Sequence, residues 1–160
     1  MTNITLSKKP AQTHKKNNVR KLIAVLLVIG IFFRFYNLDQ KVYWYDETMT
    51  SLRISGYTST DLIEEVYNGE VISVGNLLEN YQYPNDNKNL NDSIKALAAH
   101  PEHSPLYYLM ARFWLQAFGN SIFNIRLLSA FISLLVFPAI YWLCLELFNS
   151  QLISWVAASL

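Results

Sequence analysis

The stretch LLSAFISLLVFPAIYWLCLELF, residues 127–148, carries one charge, Glu146, in 22 positions. About 20 mostly apolar residues in a helix are enough to cross the hydrocarbon core of a bilayer. The rest of the composition agrees with a membrane setting, since 52% of the 160 residues are hydrophobic and only 16% are charged, and the apolar residues come in long runs.

Three further runs flank this one. Leu22 to Leu38 is interrupted only by Arg34 and Asn37, and with its flank from Val19 it is long enough to span. A cleaved signal peptide would need small residues after the apolar core, whereas RFYNLDQKVYWYD follows here. A second run opens at Pro105 with PLYYLMARFWLQAFG, and QLISWVAASL at residues 151–160 begins a fourth. Ten residues cannot cross a bilayer, so the chain is expected to be the N-terminal portion of a longer protein.

Charge orients these runs. Residues 1–21 hold six Lys or Arg and no acid, while Asp39 to Ser104 holds eleven of the twelve acids and four Lys or Arg. Basic residues near span ends stay in the cytoplasm. The expected organisation is therefore a cytoplasmic basic tail over 1–21 and a first transmembrane helix over 22–38. An extracytoplasmic loop with interfacial helices follows over 39–104, then transmembrane helices 2 and 3 over 105–148. Residues 151–160 would start a truncated fourth. Arg126, between spans 2 and 3, is expected on the cytoplasmic side. The fold class is all-α and multi-pass. Cys144, alone, can form no intrachain disulfide and reads as a small buried hydrophobe. Near-balanced charge without a basic-aromatic patch gives no sign of nucleic acid as a partner.

Structureless loops beyond about 15 residues are uncommon, and the outer loop carries helical signals. Asp46 is expected to cap a helix bearing Met49, Leu52 and Arg53. Thr60 or Asp61 would cap a second, with Leu62, Ile63, Val66 and Tyr67 at helical spacing and Gly69 as its stop. The Asn-rich stretch 81–93 reads as an exposed loop, with a short helix starting at Ser93.

Two constellations carry chemistry. In YWYDETMTSLRISG, residues 43–56, Asp46 and Glu47 follow three aromatics. They are either a cap and a first-turn acid favoured by the helix dipole or a site with a general base. A positioned carboxylate taking the proton of a hydroxyl contributes roughly 10²- to 10⁴-fold to rate. Tyr43, Trp44 and Tyr45 are either an interfacial belt or a substrate-stacking surface. In HPEHSPLYY, residues 100–108, His100, Glu102 and His103 gather before Pro105, which suits the first turn of a helix. The spacing H-x-E-H matches no strong metal signature.

Together the Asp-Glu opening of YDETMTSLRISG and the stretch EHSPLYYLMARFWLQAFGNSIFNIRLLSAF resemble the N-terminal portion of GT-C glycosyltransferases. The similarity is to the protein O-mannosyltransferase and bacterial aminoarabinose transferase type, over about residues 20–160. The resemblance implies an inverting enzyme that takes a sugar from a polyprenyl-phosphate carrier outside the cytoplasm and passes it to a protein or lipid hydroxyl. It implies Asp46 as base, with Glu47 as the second member of the catalytic pair. Glu102 would bind a divalent metal, and His103 would contact the lipid phosphate. Arg53, Trp44 and Tyr107 would complete the substrate-binding set. No nucleotide cofactor is expected, and the partners are the lipid-linked donor, the acceptor and membrane lipids. This 160-residue piece alone is expected to be inactive. Ser104 stands where the family has a first Pro, His103 where it has Lys, and no Arg lies three residues after the Asp-Glu start. The competing expectation is a non-catalytic anchor or subunit whose outer loop binds a partner.

Overall fold

The computed structural model describes residues 11–101 and 103–160, with side chains from residue 17 onward. Glu102 and the first ten residues of the basic tail therefore lie outside the described residues. Among the described residues the fold is all-helical, with nine α-helices, one π-helical segment and no strand. The chain divides into two units, one built from the segments up to Tyr36 and from Ala130 on, the other from Asn37–Ser129.

The first unit comprises α1 (Ala11–Phe35), the end of α7 (Ile122–Leu134), α8 (Val136–Phe148) and α9 (Gln151–Ser159). Pro138 has no N–H to offer Leu134, which explains the break at Leu135. Leu135 nevertheless keeps right-handed helical angles and its carbonyl accepts from the Ala139 N–H at 3.2 Å. Ile122–Phe148 thus runs as 27 residues with mean hydropathy 2.1, the one helix among the described residues long and apolar enough to cross a membrane. Only 11% of its apolar stretch is buried, so it is not enclosed as a core helix within this chain. The end of α1 meets the middle of this helix through Phe35 and Phe131, ring centroids 5.5 Å apart, and Arg34 lies 4.4 Å from the Phe137 ring. Asn149, at φ 46°, ends α8 in the left-handed conformation. The chain then folds back with Ser154 and Ala158 buried on one side of α9 and Trp155 stacked 4.6 Å from Tyr141. Small residues four apart let helices approach closely.

The second unit holds α2 (Tyr45–Ser55), α3 (Ser59–Val66), α4 (Val74–Leu77), the π-helical turn Leu78–Gln82, α5 (Leu90–Ala98), α6 (Pro105–Phe118) and the start of α7. Its core is Leu52, Tyr57 and Tyr81, ringed by Met49, Leu62, Val66, Ile72 and Leu77. Burial, then the hydrogen bond to Glu65, pushes the Tyr81 hydroxyl up to about 12. Arg112 is buried, and among the described residues it has no carboxylate partner. It donates instead to the Ile54 carbonyl at 2.7 Å, the Ser93 hydroxyl at 2.8 Å and the Lys88 carbonyl at 2.7 Å, tying α2, α5 and the loop before α5 to α6.

Several helix starts differ from expectation by a few residues. Thr58, not Thr60 or Asp61, caps α3, and Asp61 returns a bond to the Thr58 N–H at 2.7 Å. Asn89 and Asp92 form the same reciprocal cap on α5, so that helix starts at Leu90 instead of Ser93. In both cases the N3 carboxylate selects the cap, a pairing stronger than either cap residue alone.

Helix α6 has 14 residues, about 21 Å at 1.5 Å per residue, and falls short of the roughly 30 Å of a hydrocarbon core. It turns at Gly119, φ 98°, and α7 runs back beside it. Asn124 donates to the Phe118 and Gly119 carbonyls at 2.9 and 2.8 Å, Trp114 donates to the Asn124 carbonyl at 2.9 Å, and Tyr107 meets Ser129 at 2.8 Å.

Gly56 ends α2 at φ 96°, and a Cβ there would stand 2.9 Å from the Lys88 Cβ. Gly56→Ala is therefore expected to destabilise this unit by about 1–3 kcal/mol, read as a lowered denaturation midpoint in detergent. An unchanged midpoint would mean the α2–α5 contact is looser than described.

Candidate functional site

The N-terminus of α2 is set by Glu47. Trp44, extended at φ −82°, is the cap position, and its N–H donates to Glu47 Oε2 at 3.0 Å. Asp46 is thus not the cap but the second helical residue, and its carboxylate is left over. This corrects the expected capping role, and the reason is the N3 position of Glu47.

Arg126, on the second turn of α7, grips the same Glu47 from the far side. Its Nε donates to Oε1 and its Nη2 to Oε2, both at 2.7 Å. The remaining donors reach the Leu38 carbonyl at 2.6 Å and the Lys41 and Val42 carbonyls at 3.1 Å. A planar guanidinium matches a carboxylate in this two-pronged way, and a lysine cannot. Arg126, expected on the cytoplasmic side, is bonded to Glu47 of the Asp-Glu pair, which it meets where the chain turns at Gly119 after the 14-residue α6.

Around this ion pair lies a cavity of about 140 Å³ lined by Tyr43, Asp46, Glu47, Thr50, Tyr107, Ile125, Arg126 and Ser129. Asp46 and Thr50 are one turn apart on the same face of α2. The Tyr43 hydroxyl donates to the Glu47 carbonyl at 3.1 Å and contacts the Ser51 hydroxyl, and burial pushes its ionisation up. The two carboxylates differ in kind. Glu47 accepts three hydrogen bonds, and the Arg126 guanidinium holds it below the usual carboxylate range, which makes it a weak base. Asp46 is exposed, and among the described residues no donor binds its carboxylate.

Of the residues singled out in the sequence, the structure gathers Asp46, Glu47 and Tyr107. Trp44 is 73% exposed and contributes its backbone to the cap. Arg53 is buried in the last turn of α2, with no partner for Nε among the described residues, and does not line the cavity. His103 also lies off the lining, its ring 5.8 Å from that of Tyr108. Among the described residues no group of three or more His, Cys, Asp or Glu side chains is placed to hold a metal ion, and Glu102 is outside them. Tyr43 is among the aromatics that the sequence offers as a stacking surface, whereas Thr50, Arg126 and Ser129 are site residues that sequence reasoning does not single out, although Thr50 lies in YDETMTSLRISG and Arg126 and Ser129 in the RLLSAF stretch that carry the resemblance. No known protein family, characterised protein or solved structure matches the chain.

Because the Glu47 ionisation is depressed by folding, its contribution to stability is complete above about pH 4.5, its ordinary value. It is lost as pH falls through the lower folded value. Glu47→Gln should cost about 1.5–3 kcal/mol at neutral pH, the range for hydrogen bonds to charged groups, and should flatten the acid limb of the stability curve. A Gln variant with the acid sensitivity of the parent would separate Glu47 from Arg126.

Proposed function

We propose that this chain is the N-terminal part of a multi-pass membrane glycosyltransferase that moves a sugar from a polyprenyl-phosphate carrier to a protein or lipid hydroxyl outside the cytoplasm. The observation that carries the reading is the division of labour between the two carboxylates. Glu47 is held by Arg126 and the helix cap, while Asp46 stands unbonded at the mouth of a cavity. A base for a hydroxyl acceptor needs a carboxylate free to take the proton as the new bond to the sugar forms. Arg126, neutralised by Glu47 and with its donors taken up by Glu47 and the carbonyls of residues 38, 41 and 42, holds the cavity wall in place and leaves Asp46 as the free carboxylate.

The topology that goes with this reading has Ile122–Phe148 as its one clearly apolar crossing and takes α1, whose apolar part, residues 22–33, is bounded by Lys21 and Arg34, as a second. The basic tail is cytoplasmic, and residues 37–121, including all of α6, remain outside. The Glu47–Arg126 bond supports this assignment, since no span separates its partners. A metal at Glu102 and phosphate contact by His103 belong to the same proposal.

The test uses the full-length protein in membranes with a lipid-linked sugar donor. Because Asp46 does not cap α2, Asp46→Asn should leave the denaturation midpoint unchanged while lowering transfer by roughly 10²- to 10⁴-fold. An Asn variant with full activity would leave the chain as an anchor or binding subunit.

A further inference from the structure

The first unit contains a second cavity, distant in sequence from the Asp46 region and untouched by the chemistry above. It is a groove of about 510 Å³ between α1 and α9, lined by Arg20, Ile23, Ala24, Leu27, Gln151, Leu152 and Trp155. That volume falls within the roughly 300–1,000 Å³ of small-molecule sites. Its polar groups gather at one end. Arg20, Ile23, Ala24 and Leu27 follow one face of α1, descending about 10 Å from the cation into apolar wall at 1.5 Å per residue. Gln151 opens α9 at the same end, and Leu152 and Trp155 continue the apolar wall. The register is fixed independently. Phe35 meets Phe131, so the 17 residues from Phe131 to Phe148 return about 25 Å along α1, back to the level of Arg20.

The charge on this unit is one-sided. Its segments contain seven Lys or Arg and a single acid, Glu146, and among the described residues no carboxylate pairs with Arg20. A cation at the mouth of an apolar slot suits a molecule with an anionic head and a hydrocarbon tail. We infer that this groove binds an anionic phospholipid of the cytoplasmic leaflet, with the phosphate at Arg20 and Gln151 and an acyl chain along Ala24, Leu27, Leu152 and Trp155. The Tyr141 ring packs 4.6 Å from that of Trp155, which restrains the indole where the tail would lie. Basic pockets between helices on the cytoplasmic side are a recurrent form of lipid recognition.

The inference rests on the reading that α1 crosses a membrane with its start in the cytoplasm, but not on transferase activity. The full chain is reconstituted in vesicles of phosphatidylcholine containing brominated phosphatidylglycerol or brominated phosphatidylcholine, and quenching of Trp155 is isolated by difference against Trp155→Phe. Brominated phosphatidylglycerol should quench with a roughly five- to tenfold preference, the ratio for about 1 kcal/mol per basic residue at a membrane surface. Arg20→Gln, at an exposed position, should abolish the preference, and Ala24→Phe should block quenching by filling the slot. Glycerol 3-phosphate, the soluble head alone, should not compete. Equal quenching by both lipids, or an Arg20→Gln protein that keeps the preference, would overturn the proposal. Competition by glycerol 3-phosphate would do so as well, by revealing a free-phosphate site. Asp46→Asn should bind phosphatidylglycerol normally, so loss of transfer with retained lipid preference separates the two readings. A chain extracted without detergent would end both.

Discussion

Everything about the Asp46 region depends on the two-pronged bond between Arg126 and Glu47. It joins α7 to the first turn of α2, and its spare donors collect the carbonyls of residues 38, 41 and 42 on the approach to that helix. A single guanidinium therefore fixes where α2 begins, which way its first turn faces, and which carboxylate remains free. With side-chain exposures of 11% for Arg126 and 33% for Glu47, the pair is shielded enough to matter and still reachable from the cavity. Partly buried ion pairs lose several hydrogen bonds at once when one partner is removed, so this contact governs geometry more than it adds net stability.

Arg112 plays a comparable part deeper in the same unit, with no acid bonded to it among the described residues. A buried cation is costly unless its donors are used, and Arg112 spends them on two carbonyls and a hydroxyl drawn from three segments. The unit is thus pinned by two arginines from α6 and α7, each reaching back some tens of residues to backbone oxygen. Glu47 and Asp46, adjacent in sequence, diverge in role because only the N3 residue can reach both the cap N–H and Arg126.

The sequence made the helical class and the existence of most helices legible, because apolar spacing and Ser, Thr, Asn and Asp caps act over three or four residues. It misplaced α3 and α5 starts where the reciprocal N3 carboxylate decides the cap. Helix α6 shows where local pattern runs out. The apolar run from Pro105 folds as a 14-residue helix with the buried Arg112 in its middle, and a charge there is a warning against lipid exposure. The partner of Arg126 lies 79 residues earlier in the chain, beyond anything local periodicity can convey. Asp46 and Tyr107 were legible as site residues, but the cavity wall made by Tyr43, Thr50 and Ser129 emerges only when α2, α6 and α7 converge.

The most direct test of this account is the side of the membrane on which the α6–α7 turn lies. A Cys144→Ser protein carrying Asn120→Cys, at the exposed turn, is treated in sealed, right-side-out vesicles with a thiol reagent that cannot cross the bilayer; Lys88→Cys serves as the outward-facing control. The account predicts that position 120 is labelled from outside at the same rate as position 88, because no span separates Glu47 from Arg126. Labelling of position 120 only after the vesicles are opened would put Arg126 across the membrane from Glu47, and the site built on their bond would not exist.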